Sequence, residues 1–387
     1  MKFKLGLLPR LFIAIGLGIA IGCCAPDWVM RTLNCFGSTF SQFIKFFVPF
    51  IILGLVTPAI VDTGKGAGRL LLITLGIAYA STICAGYFSY GVSSLVFPRI
   101  MGGGLDESVA AKTFAPYFKL AIPPVMGVTT ALATSFVLGL CIVSTKAEIL
   151  ARAAGEFREI VSRTIQKALV PLLPFYVLTV LADLTGSGKL AIVGGGCVKM
   201  MAGALAITTA ILLVQYTLAG LVARRNPLKA LWTMLPAYFT GWGCCSSAAT
   251  LPYTLAQTKK NGVSDETADL VIPLCANVHL AGSTSNMVAY AAGFMALAGE
   301  PLGLGAFTEY IFMISIVAVA SPGVPGGVVL ACASIAEAAL GFSAERYALM
   351  IAVYMALDGM GTACNLTGDG AIALIVDRIR KRLSDQS

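Results

Sequence analysis

From about Arg346 to Val376 the chain stays hydrophobic for long enough to cross a bilayer, yet it carries Asp358, Thr362, Asn365 and Asp369. Their spacings of four, three and four place them on one face of a helix. Ionisable groups in hydrocarbon cost about 2.5–3.5 kcal/mol each on insertion scales, so they are retained where they face a pathway for a solute or ion. A lone Asn or Thr would be explained by helix-to-helix hydrogen bonding. Two carboxylates, an amide and a hydroxyl in one stripe point to a site.

The rest of the chain agrees with a membrane setting. It is 57% hydrophobic and 12% charged, with a mean hydropathy of +0.85, far from an average soluble domain. The basic start Met1–Arg10 runs into an apolar stretch reaching about Ala25, which reads as a retained span and not a cleaved leader. The eleven cysteines lie mostly in apolar runs and form no CxxC pair, so packing is their expected use. The formal charge of +8 does not indicate a nucleic-acid partner. Most Lys and Arg fall in Lys2–Arg10, Lys65–Arg69, Lys146–Lys167, Arg224–Lys229, Lys259–Lys260 and Arg378–Arg382. One threading puts all six segments on the cytoplasmic side with both termini, as the positive-inside rule expects.

Apolar runs predict spans at about 7–25, 38–61, 70–97, 121–145, 160–183, 190–222, 266–297 and 344–378. Two further hydrophobic stretches are interrupted. The first, about 227–258, breaks within Thr240–Pro252; the second, about 305–341, breaks within Ala320–Gly327. Their halves are too short to span, and backbone freed by Pro and Gly must be buried in protein or line a wet cavity. Paired broken segments are the best sequence pointer to a midplane binding site. Keeping Arg224–Lys229 and Lys259–Lys260 on one side makes the first a re-entrant hairpin. Two ordinary Pro-kinked spans would separate those charges.

The ordered motifs Ser246-Ser247-Ala248-Ala249-Thr250-Leu251-Pro252, Pro273–Ser283, Gly323-Val324-Pro325-Gly326 and Asp358–Asp369, with Lys45-Phe46-Phe47-Val48-Pro49 upstream, are similar to those of a known group. The chain resembles the dicarboxylate/amino acid:cation symporters, the glutamate transporter family, over essentially its whole length. The resemblance implies an all-α integral membrane protein with eight transmembrane helices, two opposed re-entrant hairpins and an elevator mechanism. It implies scaffold spans over 1–69 and 98–189, and transport-domain segments over 70–97 and 190–378. The latter include hairpins at 227–258 and 305–341, and 379–387 remains as a cytoplasmic tail. A homotrimer in the cell inner membrane is implied by resemblance alone.

The resemblance also assigns residues. The hairpin tip at Ser246, Ser247 and Ala248 offers backbone N–H groups to a substrate carboxylate, a role suited to a helix N-terminus, and Asn365 resembles the residue that adds its amide. Asp358 matches the acid that takes the substrate ammonium, with Thr362 and Ser283 adding hydroxyls. Val324 and Gly326 resemble the closing lid. Asp369 resembles the carboxylate of a Na+ site completed around Cys275, His279 and Asn365, a hard oxygen set suited to an alkali cation. Ser321 and Asn277 occupy positions of a second cation site.

Departures from the family pattern refine the expectation. Members that carry acidic amino acids place Arg where this chain has Gly361, and Cys245 replaces an Arg found at the tip in some microbial members. A second carboxylate without a cationic partner would be poorly tolerated in the membrane. A small neutral amino acid is therefore expected, and the Ser246–Ala249 tip with Ala281 resembles the bacterial serine/threonine sodium symporter branch. Ala281 replaces the acid of a third sodium site, with Tyr79 and Thr82 left of its frame, so one or two Na+ per cycle are expected. His279 stands where the family has Asn. It reads either as a proton carrier, making H+ a possible coupling ion, or as a neutral imidazole donating one hydrogen bond.

Other classes fit less well. A carrier of acidic amino acids or C4-dicarboxylates, possibly proton-driven, would need a cation elsewhere. A channel or receptor on the same scaffold would show no stoichiometric sodium dependence. Asp358 and Asp369 stand about 16 Å apart along an ideal helix, too far to act on one bond, and no nucleophile–base arrangement suggests an enzyme. Cys244, Cys245, Cys275 and His279 read as packing and not as a soft-metal site.

Overall fold

The computed structural model describes residues 7–64, 69–101, 114–188, 190–320 and 326–384. Within them the regular structure is all helical. The first helices are α1 (Leu7–Cys24), α2 (Asp27–Gly64), α3 (Arg69–Met101), α4 (Val128–Thr145) and α5 (Glu148–Thr164). A π turn at Ile165–Leu169 joins α5 to α6 (Val170–Gly186), and α7 covers Leu190–Ala223. Then come α8 (Pro227–Cys244), α9 (Ser247–Lys260), α10 (Asp265–Val278) and α11 (Ala281–Leu297). The chain ends in α12 (Leu304–Ala320), the short α13 (Gly327–Ala331), α14 (Ala333–Leu340) and α15 (Ala344–Ser384).

By length and apolarity, two of the described helices can cross a membrane on their own, Leu70–Met101 and Gly194–Ala223. Two bent pairs qualify if each is one span: Glu148–Leu169 with Pro174–Gly186, bent by 47°, and Arg346–Met355 with Leu357–Arg382, bent by 62°. The stretch read as one run at 160–183 is therefore angled between the π turn and Pro174, which removes a helical donor. The 344–378 run bends immediately before Leu357, one residue short of Asp358. Other expected spans appear as shorter apolar helices, among them Ile13–Cys24 and Ala133–Thr145, and Leu304–Val319 is the first half of the second interrupted stretch.

Both interrupted segments double back on themselves. Asn226 caps α8 by accepting the Lys229 N–H at 3.0 Å, with Pro227 following it in the first turn. The helix stops where Cys245 enters the left-handed region at φ 50°; Pro252, part of the expected break, sits inside α9 instead. α9 packs against α8. Arg225 then donates to the carbonyls of Asn261 and Gly262, at 2.6 and 3.2 Å, and Asn261 donates to Ala230 O at 2.9 Å. The second segment closes the same way. α12 packs against α14, and Arg346 makes a two-pronged pair with Glu300, both contacts 2.7 Å, joining its far end to its start.

The run read as one span at 266–297 is broken into α10 and α11 at His279–Leu280, with no Pro or Gly at the break. His279 is extended (φ −93°, ψ 99°), and the N–H groups released at the start of α11 find distant partners. Thr82 Oγ1 accepts from Leu280 N at 3.1 Å, while Asn365 Oδ1 accepts from Gly282 N at 2.8 Å and Ser283 N at 3.3 Å. Such capping outweighs the local preference for a continuous helix.

α11 is buried along its entire length, as expected for a helix apolar or small on every side. It lies against α3, α7 and α15. A methyl group at Gly282 would meet Gly361 O and Cys364 Cβ, each at 2.5 Å, so the α11 and α15 backbones touch directly. Small residues permit that approach, which supplies packing where lipid removes much of the hydrophobic drive. Elsewhere α1 packs on α6, and α2 packs on α4, α5 and α6.

Candidate functional site

The site is organised by α15. Asp358, Thr362, Asn365 and Asp369 are all buried, with exposures of 7%, 7%, 3% and 0%. That burial inside protein removes them from lipid, as intramembrane polar groups require.

Both hairpin tips reach this helix at adjacent residues. The Gly326 N–H donates to Asp358 Oδ2 at 2.8 Å. Gly326 has φ +75°, and a side chain there would also strike Met355, so glycine is required on two counts. On the other side, a side chain at Gly359 would strike the Trp242 carbonyl and come within 3.0 Å of Cys245 Sγ. The tip of the α8–α9 hairpin therefore presses on the position next to Asp358. Ser246 precedes α9, while Ser247 and Ala248 form its first turn, where backbone N–H groups lack helical partners. Val324 and Ser321 lie outside the described residues.

Beyond Asp358 the stripe continues into α11. Thr362 donates to the Asp358 carbonyl at 3.2 Å. Asn365 donates to Ser283 Oγ at 2.9 Å while its carbonyl oxygen caps α11. Among the described residues no Lys or Arg pairs with Asp358. Gly361 sits against α11: a Cβ there would lie 3.1 Å from Asn286 Nδ2 and 3.4 Å from Ser283 Cα.

The second acid has a different environment. Asp369 Oδ1 is 2.9 Å from His279 Nδ1, and both side chains are fully buried. The other ring nitrogen, Nε2, is 3.1 Å from Ser81 Oγ and 3.2 Å from Gln215 Nε2, and Gln215 donates to Ser81 at 2.9 Å. Asp369 Oδ2 and Gln215 Oε1 have no hydrogen-bond partner. A buried carboxylate oxygen without a donor suits an alkali cation, which binds oxygen and brings its own charge.

Of the expected ligands, His279 and Asp369 are in contact, and Cys275 is adjacent through its carbonyl, which accepts the His279 N–H at 2.8 Å. Asn277 is not drawn in: it is exposed and bonds back to Pro273 O at 3.1 Å. Ser81, Gln215 and Asn286 escaped the sequence reading. The signal for Gln215 was available, as an amide in the apolar run 190–222. Ser81 and Asn286 stand among small hydroxyl residues, and their importance comes only from what they face.

Residues 7–379 match the family described as the sodium:dicarboxylate symporter family. The serine/threonine transporter SstT of Acinetobacter baumannii (strain AYE) is 26% identical over 413 residues, covering 98% of both chains. SstT of Streptococcus suis (strain 05ZYH33) is 26% identical over 351 residues, covering 84% of this chain and 93% of the relative. The neutral amino acid transporter B(0) of Mus musculus is 29% identical over 179 residues, covering 45% of this chain and 32% of its own length. With the ends of its two interrupted segments meeting α15 at Asp358 and Gly359, and that match from near one end to the other, the chain belongs to the sodium:dicarboxylate symporter family.

Proposed function

We propose that this protein is a secondary active symporter that couples one or two Na+ to uptake of a small neutral amino acid such as serine or threonine. The observation that carries the reading is the seat around Asp358. It is an acid without a basic partner, held by the second hairpin through Gly326, with Gly361 in place of a guanidinium. Asp358 binds the substrate ammonium. The α9 N-terminus at Ser246–Ala248 and the amide of Asn365 receive its carboxylate. Thr362 and Ser283 line the seat, with Val324 and Gly326 in the lid. A second substrate carboxylate would meet no cation there and would be costly to desolvate. The names of the two SstT relatives and of transporter B(0) point the same way.

Na+ would sit at the unpartnered Oδ2 of Asp369, next to Asn365 on α15 and the Cys275–His279 turn; a second ion held by Asn277 and Ser321 would require Asn277 to leave its bond to Pro273 O. Eight spans and two re-entrant hairpins accommodate the sequence. Helices α1, α2, α4, α5 and α6 pack mainly on one another, with α1 and α6 also touching α15 and α2 touching α12; that grouping supports a reading of a fixed scaffold lying against a moving transport domain, with trimerisation through the scaffold.

The test is uptake by the purified protein in liposomes, comparing labelled serine with aspartate, with and without an inward sodium gradient. Sodium-driven serine uptake with little aspartate uptake is expected. Aspartate uptake equal to serine would overturn the neutral-substrate assignment, and uptake driven by a proton gradient alone would overturn sodium as the coupling ion.

A further inference from the structure

Along α11, Ser283, Asn286 and Tyr290 follow one another at spacings of three and four, so they share the face that carries Ser283 against α15. Ser283 is satisfied by Asn365. Asn286 is not: it is 1% exposed, and neither its Oδ1 nor its Nδ2 has a hydrogen-bond partner. A carboxamide offers two donors and two acceptor lone pairs, and leaving all of them dry is costly. One helical turn farther along, the Tyr290 ring packs edge-on against Tyr354 of α15, with centroids 6.3 Å apart, closing the seam beyond the amide.

The position of this amide is specific. Its Nδ2 lies 3.1 Å from where a Cβ would stand on Gly361. Gly361 in turn lies between Asp358 and Thr362 in the proposed seat. Asp358 is engaged with Gly326, Thr362 with its own helix, and Asn365 with Ser283 and the start of α11, while the Tyr290 and Tyr354 hydroxyls, one turn beyond the amide, are also without a partner. Asn286 therefore brings both a donor and an acceptor to this part of the seam, at the place where Gly361 contributes no side chain.

We infer that Asn286 is the specificity-determining residue of the substrate seat, reading a hydroxyl on the side chain of the bound amino acid through its amide. This rests on the symporter reading above. A hydroxyl both donates and accepts, so one such group can use both ends of the carboxamide. Glycine at 361 keeps the space beside the amide open; any larger residue would press on it. The seat then prefers serine and threonine over alanine. Removing the hydroxyl leaves the buried amide unpaired, and that penalty is a strong source of discrimination.

The experiment measures half-saturating concentrations of L-serine and L-alanine for sodium-driven uptake by the full chain in liposomes. Wild type, Asn286→Ala and Gly361→Ala are compared. In Asn286→Ala, serine should weaken by about tenfold, the scale of one hydrogen bond, while alanine stays within about twofold. Gly361→Ala pushes a methyl group towards the amide and should lower the serine-to-alanine preference in the same direction. Equal shifts for the two substrates, or none, in a variant that still transports would overturn the inference, since an amide satisfied by a resident water or by packing would not tell them apart. If Asn286→Ala loses all transport, the ratio in Gly361→Ala decides: an unchanged preference overturns the inference. Failure of the wild type to take up either amino acid would instead overturn the symporter reading, and this inference with it.

Discussion

The backbone N–H of Gly326 donates to Asp358 Oδ2 across 2.8 Å. This contact joins the tip of the second hairpin to the helix that the first hairpin tip touches one residue later, at Gly359. In the proposed reading the carboxylate that accepts the Gly326 N–H is also the one that binds the substrate ammonium, so closure of the second hairpin and substrate binding draw on the same acid. The two uses compete for the same carboxylate and are graded by its charge.

Asp358→Asn keeps the shape and removes the charge. Charge-assisted hydrogen bonds contribute about 1.5–3 kcal/mol, so the apparent affinity for serine should fall about 10- to 100-fold. Sodium-driven uptake over a range of serine concentrations measures this; an unchanged half-saturation point would remove Asp358 from the seat.

Gly326→Ala introduces a side chain at φ +75° and against Met355. The left-handed conformation alone costs about 1–2 kcal/mol for an L-residue. Uptake should drop severely while the protein remains folded, because the strain lies at the lid and not in the α11 core. Size-exclusion profiles and thermal melts of the purified variant, read beside its uptake, separate the two effects.

Gly361→Arg places a cation between Asp358 and Thr362. Serine uptake should fall at least about tenfold, as the guanidinium pairs with Asp358 and fills the seam beside Asn286. Aspartate should become a competitor of whatever uptake remains. Competition by unlabelled aspartate in wild type and variant is the readout, and indifference to aspartate in both would contradict the assignment of position 361.

Asp369→Asn removes the charge opposite His279 and the unpartnered oxygen offered to the cation. The sodium concentration needed for half-maximal serine uptake should rise by about tenfold or more, the scale of one lost charged ligand. A sodium activation curve that superimposes on wild type would place the cation elsewhere.

The Arg346–Glu300 pair fastens the base of the second hairpin and is partly exposed, at 24% and 37%. A pair of this kind contributes about 0.2–1 kcal/mol and is screened by salt. Arg346→Glu should lower thermal stability modestly, and adding Glu300→Arg should restore most of the loss. A double-mutant cycle on melting temperature gives the coupling.

Much of this architecture is written locally. The stripe of Asp358, Thr362, Asn365 and Asp369 follows from helical spacing, and its expected burial follows from the cost of polar groups in hydrocarbon. The two interrupted segments were legible because Gly, Pro and short halves act through backbone geometry and length. The exact stop was less so, since Cys245 takes the left-handed turn while Pro252 is accommodated inside α9.

What only the tertiary structure decided involves partners far apart in sequence. The break at His279–Leu280 carries no local stop signal and rests on Thr82 and Asn365, 198 and about 83 residues away. The His279–Asp369 contact, the approach of Ser81 and Gln215 to that imidazole, and the unpartnered amide of Asn286 beside Gly361 arise because α3, α7, α11 and α15 are packed together. Periodicity states which face of a helix is polar. It does not state which other polar face will meet it, because that depends on close backbone approach at residues such as Gly282 and on hydrogen bonds that exist only once the helices have assembled.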